Sequence, residues 1–167
     1  MSIYDNLPYR PCVGIVLFNQ HGKVFVGERL DNPGAWQMPQ GGIDKGESVE
    51  QATIREMKEE VGTDKAEILK VCEEEMRYDL PSHLLGRLWN GKYRGQSQIW
   101  VALKFTGNDS DIDLSYHFHP EFKDWAWIDF HEVTEFAVPF KKKTYQAVVD
   151  YFEDLVSSDK FKDHSQS

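Results

Sequence analysis

The apolar positions of this 167-residue chain fall into two rhythms. Val13-Gly14-Ile15-Val16-Leu17-Phe18 is a short, continuous, β-branched run, and polar Asn19 to Gly22 separates it from Lys23-Val24-Phe25-Val26-Gly27-Glu28-Arg29. The pair predicts a hairpin of two strands. Glu67 to Tyr78 and Gln98 to Phe105 predict further strands, the second with Ile99, Val101, Leu103 and Phe105 alternating onto one face. Trp125-Ala126-Trp127-Ile128 predicts another short strand. Helical spacing takes over after Pro139, where Val148, Tyr151, Phe152 and Leu155 mark an amphipathic helix.

Two segments break the pattern in informative ways. From Asp31 to Gly46 the chain carries Pro33, Gly34, Pro39, Gly41, Gly42 and Gly46, a density of breakers that predicts a shaped loop without regular structure. Ser48-Val49-Glu50-Gln51 then has the form of a capping box, and Gly62 supplies a stop, so a helix is expected over Val49–Val61. No repeat or linker divides the chain. One domain is expected over residues 1–156, followed by a polar, mobile tail at 157–167.

Composition narrows the function classes. Nineteen basic residues against 28 acidic ones give a formal net charge of −9, which disfavours extended binding along a nucleic acid. A substrate with a small anionic part remains compatible, if cations and a few basic side chains neutralise it locally. The first ten residues have no apolar export segment, no run is long enough to span a bilayer, and the two cysteines, Cys12 and Cys72, are far apart. A cytoplasmic protein without a disulfide framework, a membrane anchor or an evident obligate protein partner is expected.

On the expected helix, about 100° of rotation per residue places Glu56, Glu59 and Glu60 on one face and Ile54, Met57 and Val61 on another. Three carboxylates on one face usually mean a solvated surface. Hard divalent cations with oxygen ligands are the other reading. The wider pattern decides between them. Gly41, Glu47 and Arg55-Glu56-Met57-Lys58-Glu59-Glu60-Val61-Gly62 match G-x5-E-x7-R-E-U-x-E-E-x-G-U at every position but the last, where Thr63 replaces an aliphatic residue.

This is the box of the Nudix hydrolases, and the chain resembles that family. The resemblance implies an α/β fold, the Nudix α/β/α sandwich with a mixed β-sheet. It also implies a metal-dependent cleavage of phosphoanhydride bonds, with Mg2+ as the expected ion and Mn2+ as a substitute. The Gly41 carbonyl, Glu56 and Glu60 are then the expected metal ligands, with Glu59 close by as a ligand or through water. Glu56, Glu59 and Arg55 form the expected catalytic set, Arg55 fixing the carboxylates by pairing with Glu47 or Glu59. Glu56, Glu59 and Glu121 are the candidates for the base that activates water. His119-Pro120-Glu121-Phe122 resembles the place where one branch adds a metal-binding glutamate, here Glu121. His117 and His119, two apart, lack other nitrogen or sulfur ligands nearby.

Beyond the box, Tyr9-Arg10-Pro11-Cys12-Val13-Gly14, Trp36 to Ile43, Tyr93 to Gln98 and Glu121 to Trp125 resemble the bacterial RNA pyrophosphohydrolase and dinucleoside polyphosphate hydrolase branch, over Tyr9 to about Phe152. The implied substrate is RNA with a 5′ triphosphate, or a dinucleoside polyphosphate, or a nucleoside triphosphate. A catalytically silent nucleotide binder is the remaining alternative, and the intact box glutamates argue against it. Arg10 and Arg29 are expected on the phosphates, Phe140 on a base and Lys141 on a phosphate. Lys141, Lys142 and Lys143 are expected together in the first turn of the last helix. Arg77, Arg87, Lys92 and Arg94, interleaved with Tyr78, Trp89 and Tyr93, suit a loop that closes over substrate.

Overall fold

The structure is a computed structural model that describes residues 6–156. The expected tail at 157–167 lies outside the described residues. The strands are β1 (Tyr9–Phe18), β2 (Val24–Arg29), β3 (Trp36–Gln37), β4 (Gln40–Gly42), β5 (Ala66–Val71), β6 (Met76–Asp79), β7 (Gly95–Phe105) and β8 (Phe122–Ile128). The helices are α1 (Val49–Val61), α2 (Val133–Phe136) and α3 (Lys142–Val156).

The strands form a mixed sheet. β1 runs parallel to β7 from Tyr9 opposite Gly95 to Phe18 opposite Lys104, and the other pairings are antiparallel. Side chains of β1 alternate into two cores. Ile15 and Leu17, with Val101, Leu103 and Phe105 of β7, pack against Met57 and Val61 of α1. Val16 and Phe18, with Trp100 and Ala102, pack against Val133 of α2 and Tyr145, Val148 and Phe152 of α3. Helices therefore cover both faces, as the α/β/α expectation required. Full burial of each such side chain stabilises by roughly 1.5–3 kcal/mol, which is why the central strands read as continuous apolar runs.

The expected hairpin meets only at its turn, where Phe18 pairs with Val24. Beyond that point β1 and β2 diverge, and the glycine-rich segment fills the gap. β4 pairs with Cys12 to Gly14 of β1, and the Ile15 amide donates to the Pro39 carbonyl at 2.9 Å. β3 pairs with Gly27 and Glu28 of β2. The segment expected to lack regular structure thus contains two short strands, because the unpaired edges of β1 and β2 supply the hydrogen-bond partners that its breakers deny it locally.

Two other expectations need correction. The strand expected over 67–78 is interrupted between Val71 and Met76, where Glu73-Glu74-Glu75 set three like charges in a row. Its two halves both pair antiparallel with β7. β7 itself begins at Gly95 rather than Gln98, and its first residues include the buried polar Gln96 and Gln98.

Candidate active site

α1 forms where the capping residues placed it. The Gln51 amide donates to Ser48 Oγ at 3.1 Å, and the Ser48 amide donates to Gln51 Oε1 at 2.9 Å. At the other end Gly62 has φ 88°, and its amide donates to the Lys58 carbonyl. This left-handed cap is one that glycine accepts without steric cost.

The glutamate face of α1 points at the glycine segment, not at solvent. Glu56 and Glu60 are buried, and Glu59 is partly exposed. Gly41 makes this possible, since a Cβ there would coincide with the Glu56 carboxyl group. The Gln40 amide donates to Glu60 Oε2 at 3.0 Å. Burial pushes the Glu56 carboxyl up to about 6, with Arg55 opposing the rise. Burial, with Glu56 and Glu121 nearby, raises Glu60 well above the ordinary carboxylate range.

Arg55 organises the cluster. Its Nε and Nη2 donate to the two oxygens of Glu47 at 2.8 and 2.9 Å, Nη1 donates to Glu56 Oε1 at 2.8 Å, and Nη2 also donates to the Gly42 carbonyl at 2.8 Å. Glu59 Oε2 is 3.4 Å from Nη1. Both pairings foreseen for Arg55, with Glu47 and with Glu59, are present. Hydrogen bonding to Arg55 holds the Glu47 carboxyl down at about 2. Replacing Arg55 with Ala is expected to lower kcat/KM about 10- to 100-fold, the range for removing a group that orients metal-site carboxylates. Arg55→Lys should recover little, because a point ammonium cannot replace a planar fork. Steady-state kinetics with each variant checks this.

The expected substrate contacts converge on the same place. A cavity of about 450 Å³ is lined by Arg10, Arg29, Gly41, Glu56, Glu59, Glu60, Glu121, Phe140 and Lys141, together with Gln37, Gln40, Tyr78, Trp89 and Gln96 among others. Arg29 follows a register shift in the β2–β8 pairing, an irregularity that re-aims a side chain. It donates to Asp31 at 2.7 and 2.6 Å and lies 3.9 Å from Glu121. Phe140 packs on Tyr78 with ring centroids 5.6 Å apart.

Lys141 departs from the expected basic first turn. It ends a 3-10 turn, Pro139–Lys141, and is buried, whereas Lys142 and Lys143 start α3, are exposed and do not line the cavity. Lys141 Nζ donates to Gln37 Oε1 at 2.9 Å. Burial, with Arg29 adding repulsion, lowers its ammonium to about 8. Of the loop residues expected to close over substrate, Tyr78 and Trp89 line the cavity, and Arg77, Arg87, Lys92, Tyr93 and Arg94 do not. Arg94 instead bonds Asp79 at 2.9 Å, and Arg77 lies over Tyr9. His117 stands 3.9 Å from Glu59. Cys12 and Cys72 are buried free thiols.

Three glutamines that no motif singles out form a network at the cavity. Gln98 Nε2 donates to Gln96 Oε1 at 2.6 Å and to Gln40 Oε1 at 3.1 Å, and Gln98 Oε1 accepts from the Trp100 indole at 3.1 Å. The signal in the sequence is two glutamines at strand spacing, just before the apolar run of β7.

The donor set fits a hard divalent cation. Two buried carboxylates with raised pKa values lack a full counter-charge, and the backbone of Gly41 lies against one of them. Among the described residues no three His, Cys, Asp or Glu side chains form a ready-made cage. An ion here would complete its shell with backbone, water and phosphate oxygens, as magnesium does.

Comparison with known proteins agrees with this geometry. The chain is 51% identical over 159 residues to an RNA pyrophosphohydrolase of Sphingopyxis alaskensis, covering 93% of this chain and 100% of that one. It is 53% identical over 143 residues to one of Rhodospirillum rubrum, covering 86% of each. Among solved structures, the E. coli dihydroneopterin triphosphate pyrophosphohydrolase superposes with a TM-score of 0.68 at 23% identity, over 88% of this chain and 99% of that one. That likeness concerns the fold alone. The NUDIX domain profile matches residues 8–148, and with these relatives it establishes that the chain belongs to the Nudix hydrolase family.

Proposed function

We propose that this protein is an RNA pyrophosphohydrolase, which hydrolyses the 5′-triphosphate end of RNA to a 5′-monophosphate and releases pyrophosphate. The observation that carries the reading is one cavity in which the buried glutamates of α1 face Arg10, Arg29 and Lys141, with Phe140 beside them. It joins a cation-binding acidic wall to a phosphate-binding basic wall and an aromatic face. Relatives 47–53% identical over most of their length carry that activity in their names, which supports the same substrate here.

In this proposal Gly41, Glu56, Glu59, Glu60 and Glu121 hold divalent metal, magnesium or, in its place, manganese. Bound there, the metal neutralises phosphate charge and makes water a better nucleophile. The protein's own groups do the rest. Arg55 keeps the Glu56 and Glu47 carboxylates in place. Arg10, Arg29 and Lys141 orient the phosphate chain for in-line attack. Glu56, Glu59 and Glu121 are the candidates for the group that takes the proton from water, and Phe140 offers a base its ring face. A cytoplasmic setting belongs to the proposal, supported by the two unpaired thiols. Among the described residues no helix is long and apolar enough to cross a membrane.

The test is a side-by-side assay with magnesium on 5′-triphosphorylated RNA, diadenosine tetraphosphate and ATP, with product identification. The expected result is the highest kcat/KM on RNA, with a 5′-monophosphate end and pyrophosphate as products. A large preference for the dinucleotide would overturn the RNA reading and leave the hydrolase chemistry standing.

A further inference from the structure

Trp89 holds a backbone conformation that tryptophan avoids. Its φ and ψ are 53° and 38°, and those of Asn90 are 58° and 27°. Among the described residues these two are the non-glycine positions with positive φ. Asparagine tolerates the left-handed region, but a bulky residue there crowds its own β-carbon against the backbone. Such strain persists only where something else selects the residue, and it gathers at binding sites.

Core packing does not select this one. No residue of the turn Leu88–Gly91 is buried. What the conformation achieves is to set the indole on the wall of the active-site cavity, which Phe140 also lines. The Tyr93 ring braces the indole edge-on, with centroids 6.0 Å apart. The Arg10 guanidinium lies over the indole, its Cζ 5.2 Å from the ring centroid. Arg10 also reaches the glycine segment, for a Cβ on Gly42 would stand 2.6 Å from its Nη2. One planar cation thus lies over the face of a half-buried aromatic ring at the cavity wall.

We infer that Trp89 is a substrate-binding residue, a stacking platform for a nucleobase at the 5′ end of the substrate. A planar π-system takes the face on which the guanidinium now lies. Stacking of this kind tolerates any base. The inference rests on the RNA reading, and the test separates the two.

Wild type, Trp89→Ala, Trp89→Phe and Trp89→Gly are assayed on 5′-triphosphorylated RNA, and on the same RNA made abasic at the first or at the second nucleotide. Trp89→Ala is expected to raise KM for intact RNA about tenfold, within the range measured for base–aromatic stacking, while kcat changes less than about twofold. Trp89→Phe should regain most of the loss. On one of the two abasic RNAs the KM difference between Trp89→Ala and wild type should vanish. Trp89→Gly should melt no lower than wild type, since glycine relieves the strained φ, yet show the raised KM. An equal KM for wild type and Trp89→Ala on intact RNA, or the same penalty on all three RNAs, would overturn the inference. Failure of wild type to turn over RNA would instead overturn the substrate reading. The same Trp89 comparison on diadenosine tetraphosphate would then decide the platform.

Discussion

Glu56→Gln protein is expected to fold normally and to lose about three orders of magnitude in kcat/KM, the scale set by several kcal/mol of lost transition-state stabilisation at a metal site. Its stability should move the other way. In the metal-free protein, burial holds the Glu56 carboxyl at about 6, above the ordinary value of 4.5. The fold therefore favours the protonated form. That stabilisation is full below about pH 4.5 and is lost as pH rises through about 6, at a cost of about 2 kcal/mol. Glutamine escapes the loss. At pH 7.5 without divalent metal the variant should melt a few degrees above wild type, and the gap should close toward pH 5. Magnesium should raise the melting temperature of wild type at pH 7.5 and leave that of the variant nearly still. Circular-dichroism melts with and without magnesium check both signs. A variant that melts below wild type at pH 7.5 would contradict the burial argument, and one with near-normal turnover would remove Glu56 from the chemistry.

Trp100→Ala should be the most destabilising single change in the core, by about 3–5 kcal/mol, which lowers Tm by about 6–20 °C for a chain of this size. Trp100 is fully buried and sits where two layers meet. Its ring covers Gly14 of β1 so closely that any Cβ there would overlap it. It meets Tyr145 of α3 edge-on, with centroids 5.7 Å apart. Tyr145 Oη accepts from the Met38 amide at 3.0 Å, which ties α3 to the segment between β3 and β4. Truncation therefore empties the core and frees the approach to Gly41 together. Trp100→Phe should cost less, because it keeps much of the packing and loses mainly the hydrogen bond to Gln98. Thermal melts of both variants check this, and a Trp100→Ala Tm within about 2 °C of wild type would refute it.

The readable parts of this protein were those where one residue type has one local consequence. Ser48, Gln51 and Gly62 bounded α1 because capping is chemistry between near neighbours. The apolar runs of β1 and β7 announced strands because both faces are covered. The box supplied Glu56, Glu59, Glu60 and Gly41 in one pattern. What stayed hidden depends on neighbours distant in sequence. The helical wheel gave the glutamates a common face, yet only the approach of Gly41 makes that face buried. β3 and β4 exist because the edges of β1 and β2 are vacant. Lys141 looked like its two successors, and only the 3-10 turn before α3 sends it inward. The strained turn at Trp89 leaves no mark in hydropathy at all.

The amide relay from Trp100 through Gln98 to Gln96 and Gln40 gives the cavity floor a property of its own. None of its members gains or loses a proton in the range where cells live. Had histidines or acids stood there, each would have added a titration of its own to the pH–rate curve. As built, the relay is a chain of neutral dipoles that reaches the cavity lining at Gln96 and Gln40. The relay thus adds no protonation step of its own to a site where burial raises Glu56 and Glu60 and lowers Lys141.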